Sequence, residues 1–273
     1  MCYICRLMRL FWVFIAVLAL ASCSKFRKIE KNPDWRVKFE ASQNYFAKKD
    51  YYRASVLLEQ IMPIIRGLPE AEKAQFTLAY CHYHQKLYLL ASEQFKSFYE
   101  TYGRSTLAEE ARYMYAYSLY KSSPGPNLDQ SESIEAMTSM QEFLNRYPRS
   151  KYRDQALEVI NTIQLRLEEK GFSNAKQYLK LRYYKAAIVA LENFTRNFPD
   201  SRYVEEAHFL IMVSEYKLAE QSIQARQRER YQEVVNDYLQ FVDRYPESPF
   251  LKEAERYYSE SLEKLGKLKN VNT

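Results

Sequence analysis

Apolar residues recur three and four positions apart along most of this chain, the spacing of one face of an α-helix. Ala91, Phe95 and Phe98 form one such face. The pattern is interrupted by a phrase that returns four times: Phe98-x-x-x-Tyr102-Gly103-x-Ser105, Phe143-x-x-x-Tyr147-Pro148-x-Ser150, Phe194-x-x-x-Phe198-Pro199-x-Ser201 and Phe241-x-x-x-Tyr245-Pro246-x-Ser248. Six residues past each serine stands an alanine: Ala111, Ala156, Ala207 and Ala254. Small or aromatic residues also precede each phenylalanine in register: Tyr88 and Ala91, Ala136, Tyr184 and Ala187, Tyr231 and Val234. Tyr51, Ala54 and Ile61 supply a fifth, N-terminal copy. A small residue lets a neighbouring helix approach closely. The Pro or Gly then stops the helix, and the serine is suited to cap the next one. Acidic pairs such as Glu109 and Glu110, or Glu205 and Glu206, fall in the early turns, where the helix dipole favours them.

Each unit thus reads as helix, Tyr-containing turn, helix and Pro/Gly-Ser corner. One pair cannot bury both of its faces, so the units must stack. The pattern resembles the tetratricopeptide repeat. It predicts an all-α fold, an α-solenoid of about five helix pairs. The expected repeats cover residues 34–66, 70–103, 105–148, 150–199 and 201–246, followed by a capping helix over 248–266 and a tail over 269–273. Together they form a repeat domain over 34–268. The stretch from Lys121 to Ser133, containing Ser122-Ser123-Pro124-Gly125-Pro126-Asn127, reads as a loop. Residues from Tyr152 to Glu169 read as one long helix.

Composition agrees with this picture. Only 5 glycines in 273 residues disfavour a turn-rich β fold, and 47% hydrophobic content suffices for a core. The 25 tyrosines are suited both to packing between helices and to a contact surface.

The N-terminus sets the compartment. Arg6 and Arg9 precede an apolar stretch from Leu10 to Ala21, which has the length of a signal-peptide core and is short for a membrane span. It ends in Leu20-Ala21-Ser22-Cys23, which resembles the bacterial lipobox. That resemblance implies cleavage of residues 1–22 and acylation of Cys23, with palmitate among the acyl chains. Translation can start at Met1 or at Met8, since Met8 leaves Arg9 as a minimal positive region. Residues 23–33 form a linker. The segment Ser24-Lys25-Phe26-Arg27-Lys28 lacks the aspartate that retains enteric lipoproteins in the inner membrane, which implies an outer-membrane anchor facing the periplasm. Without Arg6 and Arg9 the net charge falls from +6 to +4, with both signs interspersed. No nucleic-acid partner is expected. Cys81 is left as a buried thiol with no disulfide partner.

Catalytic and metal chemistry find no foothold. Residues two apart on a helix point about 200° apart, so His82 and His84 cannot share an ion with each other. The spacing of four that a helical metal pair requires does not occur. Neither a phosphate loop nor a nucleophile elbow is present. No cofactor is expected beyond the covalent lipid, and no enzyme activity.

A lipobox leading into five such repeats resembles the BamD family, lipoproteins of the outer-membrane β-barrel assembly machinery. The stretch Arg112-Tyr113-Met114-Tyr115-Ala116-Tyr117-Ser118-Leu119 and the segment from Phe194 to Ala207 carry the likeness. It implies a scaffold bound to the BamA insertase and to other assembly subunits. It also implies recognition of unfolded outer-membrane proteins through their C-terminal segments, which end in an aromatic residue. In such repeats the first helix lines the concave side. The candidate groove residues are Phe39, Phe46, Lys73, Phe76, Tyr80, Tyr83, His84, Arg112 and Tyr115. Aromatics would fill pockets, and Arg112 or Lys73 would pair with a terminal carboxylate. The alternative is packing of these residues against neighbouring helices. Another scaffold role, in pilus secretin assembly or in envelope and division complexes, remains open at this point. A glycan-binding lipoprotein is disfavoured, because Trp35 is the only tryptophan outside the leader.

Overall fold

A computed structural model describes residues 25–126 and 128–270, so the leader and Cys23 lie outside the described residues. A short helical stretch covers residues 25–30. Eleven helices follow: α1 (Trp35–Ala47), α2 (Tyr51–Ile61), α3 (Pro69–His84), α4 (Tyr88–Thr101), α5 (Ala108–Ser122), α6 (Ser131–Arg146), α7 (Arg153–Lys180), α8 (Tyr184–Asn197), α9 (Val204–Glu220), α10 (Gln224–Arg244) and α11 (Leu251–Asn270). The fold is an all-helical repeat array of the solenoid kind, with no strand among the described residues. It divides into two compact units. One runs to Pro124 and resumes over Asp129–Ile163; the other comprises Gly125–Leu128 and the residues from Gln164 onward. Chain neighbours pack from α1 through α6 and again from α8 through α11. Alternate helices also touch, α1 on α3 in the first unit and α9 on α11 in the second, which is how stacked pairs close a core within each unit.

The recurring phrase has a specific physical job. Phe98, Phe143, Phe194 and Phe241 are all essentially fully buried. The aromatic four residues later ends the helix. Tyr102, Tyr147, Phe198 and Tyr245 donate their backbone N–H to the phenylalanine carbonyl, at 2.7, 2.8, 2.9 and 2.8 Å. Each then leaves the helical region; for Tyr147, Phe198 and Tyr245 the following proline excludes it, and Tyr102 does so before Gly103. Each ring folds back onto its phenylalanine, with centroids 5.2–5.6 Å apart. The serine caps one step earlier than the sequence suggests. Ser105, Ser150, Ser201 and Ser248 accept at Oγ from the N–H two residues on, at 2.9–3.3 Å. That caps a single i→i+3 turn, and the regular helix starts only three residues after the serine. Two of these hydroxyls also donate across the repeat boundary: Ser105 to Glu72, and Ser150 to Glu109 at 2.6 Å.

The turns inside the pairs were not legible as a class. Lys49, Lys86 and Arg182 adopt positive φ, at 61°, 63° and 64°. Each sits at the position where a helix stop ordinarily takes glycine. Each is closed by the paired hydrogen bonds of that stop, Lys86 N–H to the Tyr83 carbonyl and Leu87 N–H to that of His82, both at 3.0 Å. A cation there also complements the helix C-terminus. Lys86→Gly should hold or raise stability by up to about 1 kcal/mol, and Lys86→Val should lower it by about 1–2 kcal/mol, read by denaturant melts.

The helix predicted over 152–169 instead spans Arg153–Lys180, passing through Gly171. The glycine is there for clearance. A Cβ at 171 would lie 3.3 Å from Phe194 Cδ2 and 3.5 Å from Phe198 Cε2. The loop after α5 is tied to this helix by Lys170, whose ammonium donates to the Leu128 carbonyl at 2.5 Å.

The second unit carries a titrating fault. Burial, with Glu215, Glu233 and Glu192 nearby, pushes the Asp237 carboxyl up to about 7. A folded-state value above the unfolded one of about 3.9 means that the fold is unpenalised below pH 4 and loses stability as pH rises toward 7. Asp237→Asn should therefore stabilise at pH 8, by on the order of 2 kcal/mol, and do little at pH 4, as thermal melts at the two pH values would show.

Candidate peptide-binding groove

The groove lies within the first unit and is built from the first helices of successive pairs. On α3, Tyr80, Tyr83 and His84 share one face through spacings of three and four. On α5, Tyr113, Tyr117 and Tyr120 do the same, and Tyr152 stands at the entry to α7. Their rings touch in succession. Tyr51 stacks on His84 at 4.3 Å between centroids, with Phe46 at 6.4 Å. His84 stacks on Tyr80 at 6.0 Å, and Tyr80 meets Tyr83 at 6.5 Å. Tyr83 meets Tyr117 at 6.2 Å, Tyr117 stacks on Tyr113 at 5.5 Å, and Tyr113 on Tyr152 at 4.4 Å. The result is a continuous aromatic track from the end of α1 to the start of α7. Beside it opens a cavity of about 440 Å³, lined by Tyr80, Tyr83, Tyr117 and Tyr120 on one side and by Glu158 and Thr162 of α7 on the other.

Polar groups fix the rings. The Tyr80 hydroxyl donates to Glu110, and the Tyr113 hydroxyl donates to Gln155 Oε1 at 3.2 Å. Glu110 in turn lies 3.7 Å from the ammonium of Lys151, which sits 4.8 Å over the Tyr152 ring. Burial raises the Tyr80 phenol far above its usual range, and the Glu110 carboxylate adds to this. Burial and the neighbouring phenols of Tyr117 and Tyr88 push Tyr83 up to about 12. Tyr80 and Tyr83 therefore stay neutral at physiological pH and add no charge to the track. Burial and the charge of Lys49 lower the His84 pKa, so its ring belongs to the neutral set as well.

The candidate residues divide between this track and other places. Phe46, Tyr80, Tyr83 and His84 are on it. Lys73 is exposed on α3. Phe76 borders the track, edge-on to Tyr80 at 5.1 Å, and also packs inward onto Phe95 and Phe98, at 6.0 and 5.1 Å. Phe39 packs against the core formed by Ala54, Leu58 and Ala74. Arg112 and Tyr115 point the other way on α5. The Arg112 guanidinium lies 4.3 Å over Tyr99 of α4. The Tyr115 hydroxyl donates to Glu135 of α6 at 2.9 Å. What the sequence reading missed is Tyr113, Tyr117, Tyr120 and Tyr152. The signal was available: Ala74 and Ala111 are equivalent, fully buried small residues. Counting on from each pairs Phe76 with Tyr113, Tyr80 with Tyr117 and Tyr83 with Tyr120, and pairs Tyr115 with the buried Leu78.

The neighbouring histidine and thiol are structural. His82 is buried, with its ring nitrogens 2.7 Å from Gln94 Oε1 and 3.2 Å from Glu59 Oε1. Cys81 is a free, buried thiol, pushed up to about 12 chiefly by burial. No group of side chains among the described residues could hold a metal ion. No helix among them is long and apolar enough to cross a membrane.

The family model of YfiO, described as outer membrane lipoprotein, matches residues 33–190 and 172–268, which is nearly all of the helical array. The chain belongs to the YfiO family. Similar curated proteins include the outer membrane protein assembly factor BamD of Neisseria meningitidis serogroup A, 24% identical over 253 residues, covering 87% of this chain and 91% of that protein. The BamD of serogroup B is 24% identical over 252 residues, covering 86% and 91%, and that of Pasteurella multocida 24% over 210, covering 72% and 80%. YfiO membership places this chain among outer membrane lipoproteins.

Proposed function

We propose that the chain is an assembly factor for outer-membrane β-barrel proteins, lipid-anchored through Cys23 and facing the periplasm, that binds a BamA-like insertase and other assembly subunits and receives the C-terminal segments of unfolded barrel proteins on the aromatic track of its first unit. The observation that carries the peptide reading is the continuity of the track, whose ring centroids are 4.3–6.5 Å apart from Tyr51 to Tyr152. An extended strand presents alternate side chains about 7 Å apart, so a peptide with alternating aromatic and apolar residues can place successive rings along it. Lys151, at the α7 end, is a cation on the track able to meet a terminal carboxylate, the role first assigned to Arg112 or Lys73.

The test is fluorescence anisotropy with a labelled decapeptide of alternating apolar residues ending in phenylalanine with a free carboxylate. Binding in the micromolar range is expected, weakened about fivefold by amidation of the C-terminus. Equal affinity for a scrambled peptide without the terminal aromatic would remove the peptide-recognition reading.

A further inference from the structure

The positive charge of this chain is concentrated at one end. Residues 25–53 carry nine Lys and Arg against four Asp and Glu, a net of +5, whereas residues 54–273 sum to −1. The fold gathers part of that charge around a cavity of about 630 Å³ between the helical stretch 25–30, α1 and the start of α2, lined by Lys25, Ile29, Asn44, Tyr45, Lys48 and Arg53. Its geometry is held by packing. Phe26 meets Tyr45 edge-on at 5.8 Å, and the Arg53 guanidinium lies 5.5 Å from the Phe26 ring and 5.8 Å from that of Tyr45. Asp50 also lines the cavity, but it is paired with Arg53 at 3.1 Å and caps α2, which leaves Lys25 and Lys48 exposed at the opening.

We propose that this cavity is a binding site for the phosphate headgroup of an acidic phospholipid, a second contact with the membrane beside the lipid anchor. The choice of a lipid over a soluble phosphate rests on the reading of Cys23 as the acylated residue. Two residues of extended chain span at most about 7 Å, so a lipid on Cys23 holds Lys25 and the cavity at the headgroup layer. There the bilayer supplies phosphates at high local concentration, and a cationic cavity with an amide and a phenol at its wall has donors for the phosphate oxygens. One acyl signal is strengthened by a basic one, and the site would also fix which face of α1 and α2 lies toward the bilayer.

The test is vesicle flotation of the chain from residue 23 onward with Cys23→Ser, so that no lipid contributes. Vesicles of 30% phosphatidylglycerol in phosphatidylcholine should capture the protein, and pure phosphatidylcholine vesicles should not. Capture should fall as salt is raised across the screening range. Lys25→Gln with Lys48→Gln should lower the partition coefficient about tenfold. The same charge removal at the far end, Lys264→Gln with Lys267→Gln, should leave it unchanged. Equal capture by both vesicle types, or equal loss in both double variants, overturns the proposal. Saturation by millimolar inorganic phosphate without capture by acidic vesicles overturns the lipid assignment. Both lysines are exposed, and circular dichroism of the variants checks that the helices persist. The anchor itself is read separately, by the intact mass of the membrane-extracted protein, so a failed flotation assay and an unlipidated Cys23 are distinct results.

Discussion

Phe143→Ala is expected to cost about 3–5 kcal/mol in the stability of the first unit, measured by urea unfolding, the range for truncating a fully buried aromatic. Phe143 has no exposed surface. Its ring meets Tyr113 and Tyr147, both at 5.6 Å. The cavity left behind would not be filled by either neighbour, since Tyr147 ends α6 and Tyr113 is held by Gln155 and by stacking on Tyr152. The comparison is Ile223→Ala, at a residue 73% exposed, where a change within about 0.5 kcal/mol is expected. Because Tyr113 belongs to the aromatic track, Phe143→Ala should also weaken peptide binding at temperatures where the unit is still folded.

The second large effect is expected in the groove itself. Tyr83→Ala with Tyr117→Ala should lower affinity for the aromatic-ended peptide at least tenfold, since truncating central aromatic anchors costs more than about 1–2 kcal/mol. These two rings meet at 6.2 Å and join the α3 and α5 parts of the track, so their loss interrupts it at the centre. Both are partly exposed, and alanine suits a helix interior, so helicity should survive. Two single variants separate the roles of the cations. Arg112→Ala should leave peptide affinity unchanged, since its guanidinium rests on Tyr99. Lys151→Ala should reduce affinity a few-fold for the free carboxylate and not for the amide. If Arg112→Ala weakens binding and the tyrosine pair does not, the peptide lies on the α4 and α6 side of α5.

The helical array could be read from the chain because its signals are local. A buried phenylalanine, an aromatic stop, a Pro or Gly and a serine occur together in the chain, and each acts within one turn of itself. The α7 extension through Gly171 could not be read, because its reason is the ring of Phe194, distant in sequence. The left-handed Lys49, Lys86 and Arg182 were hidden because a helix stop is recognised by its glycine, and here long cations take that place. The site was half legible. On α3 three of the five residues chosen, Tyr80, Tyr83 and His84, lie on the track, because the α3 tyrosines occupy one side of Ala79. On α5 tyrosines stand at 113, 115, 117 and 120, on more than one face, so aromatic spacing alone does not choose between them. Counting from the buried alanine does, since that residue marks the side against which the neighbouring helix packs.

The central claim is membership in the barrel assembly machinery, and purification of a C-terminally tagged copy from gently solubilised membranes tests it most directly. With partners identified by mass spectrometry, a large barrel protein bearing periplasmic repeat domains should appear in near-equal amount. Its absence, with secretin, pilus or division proteins in its place, would contradict the assembly role while leaving the lipoprotein fold intact.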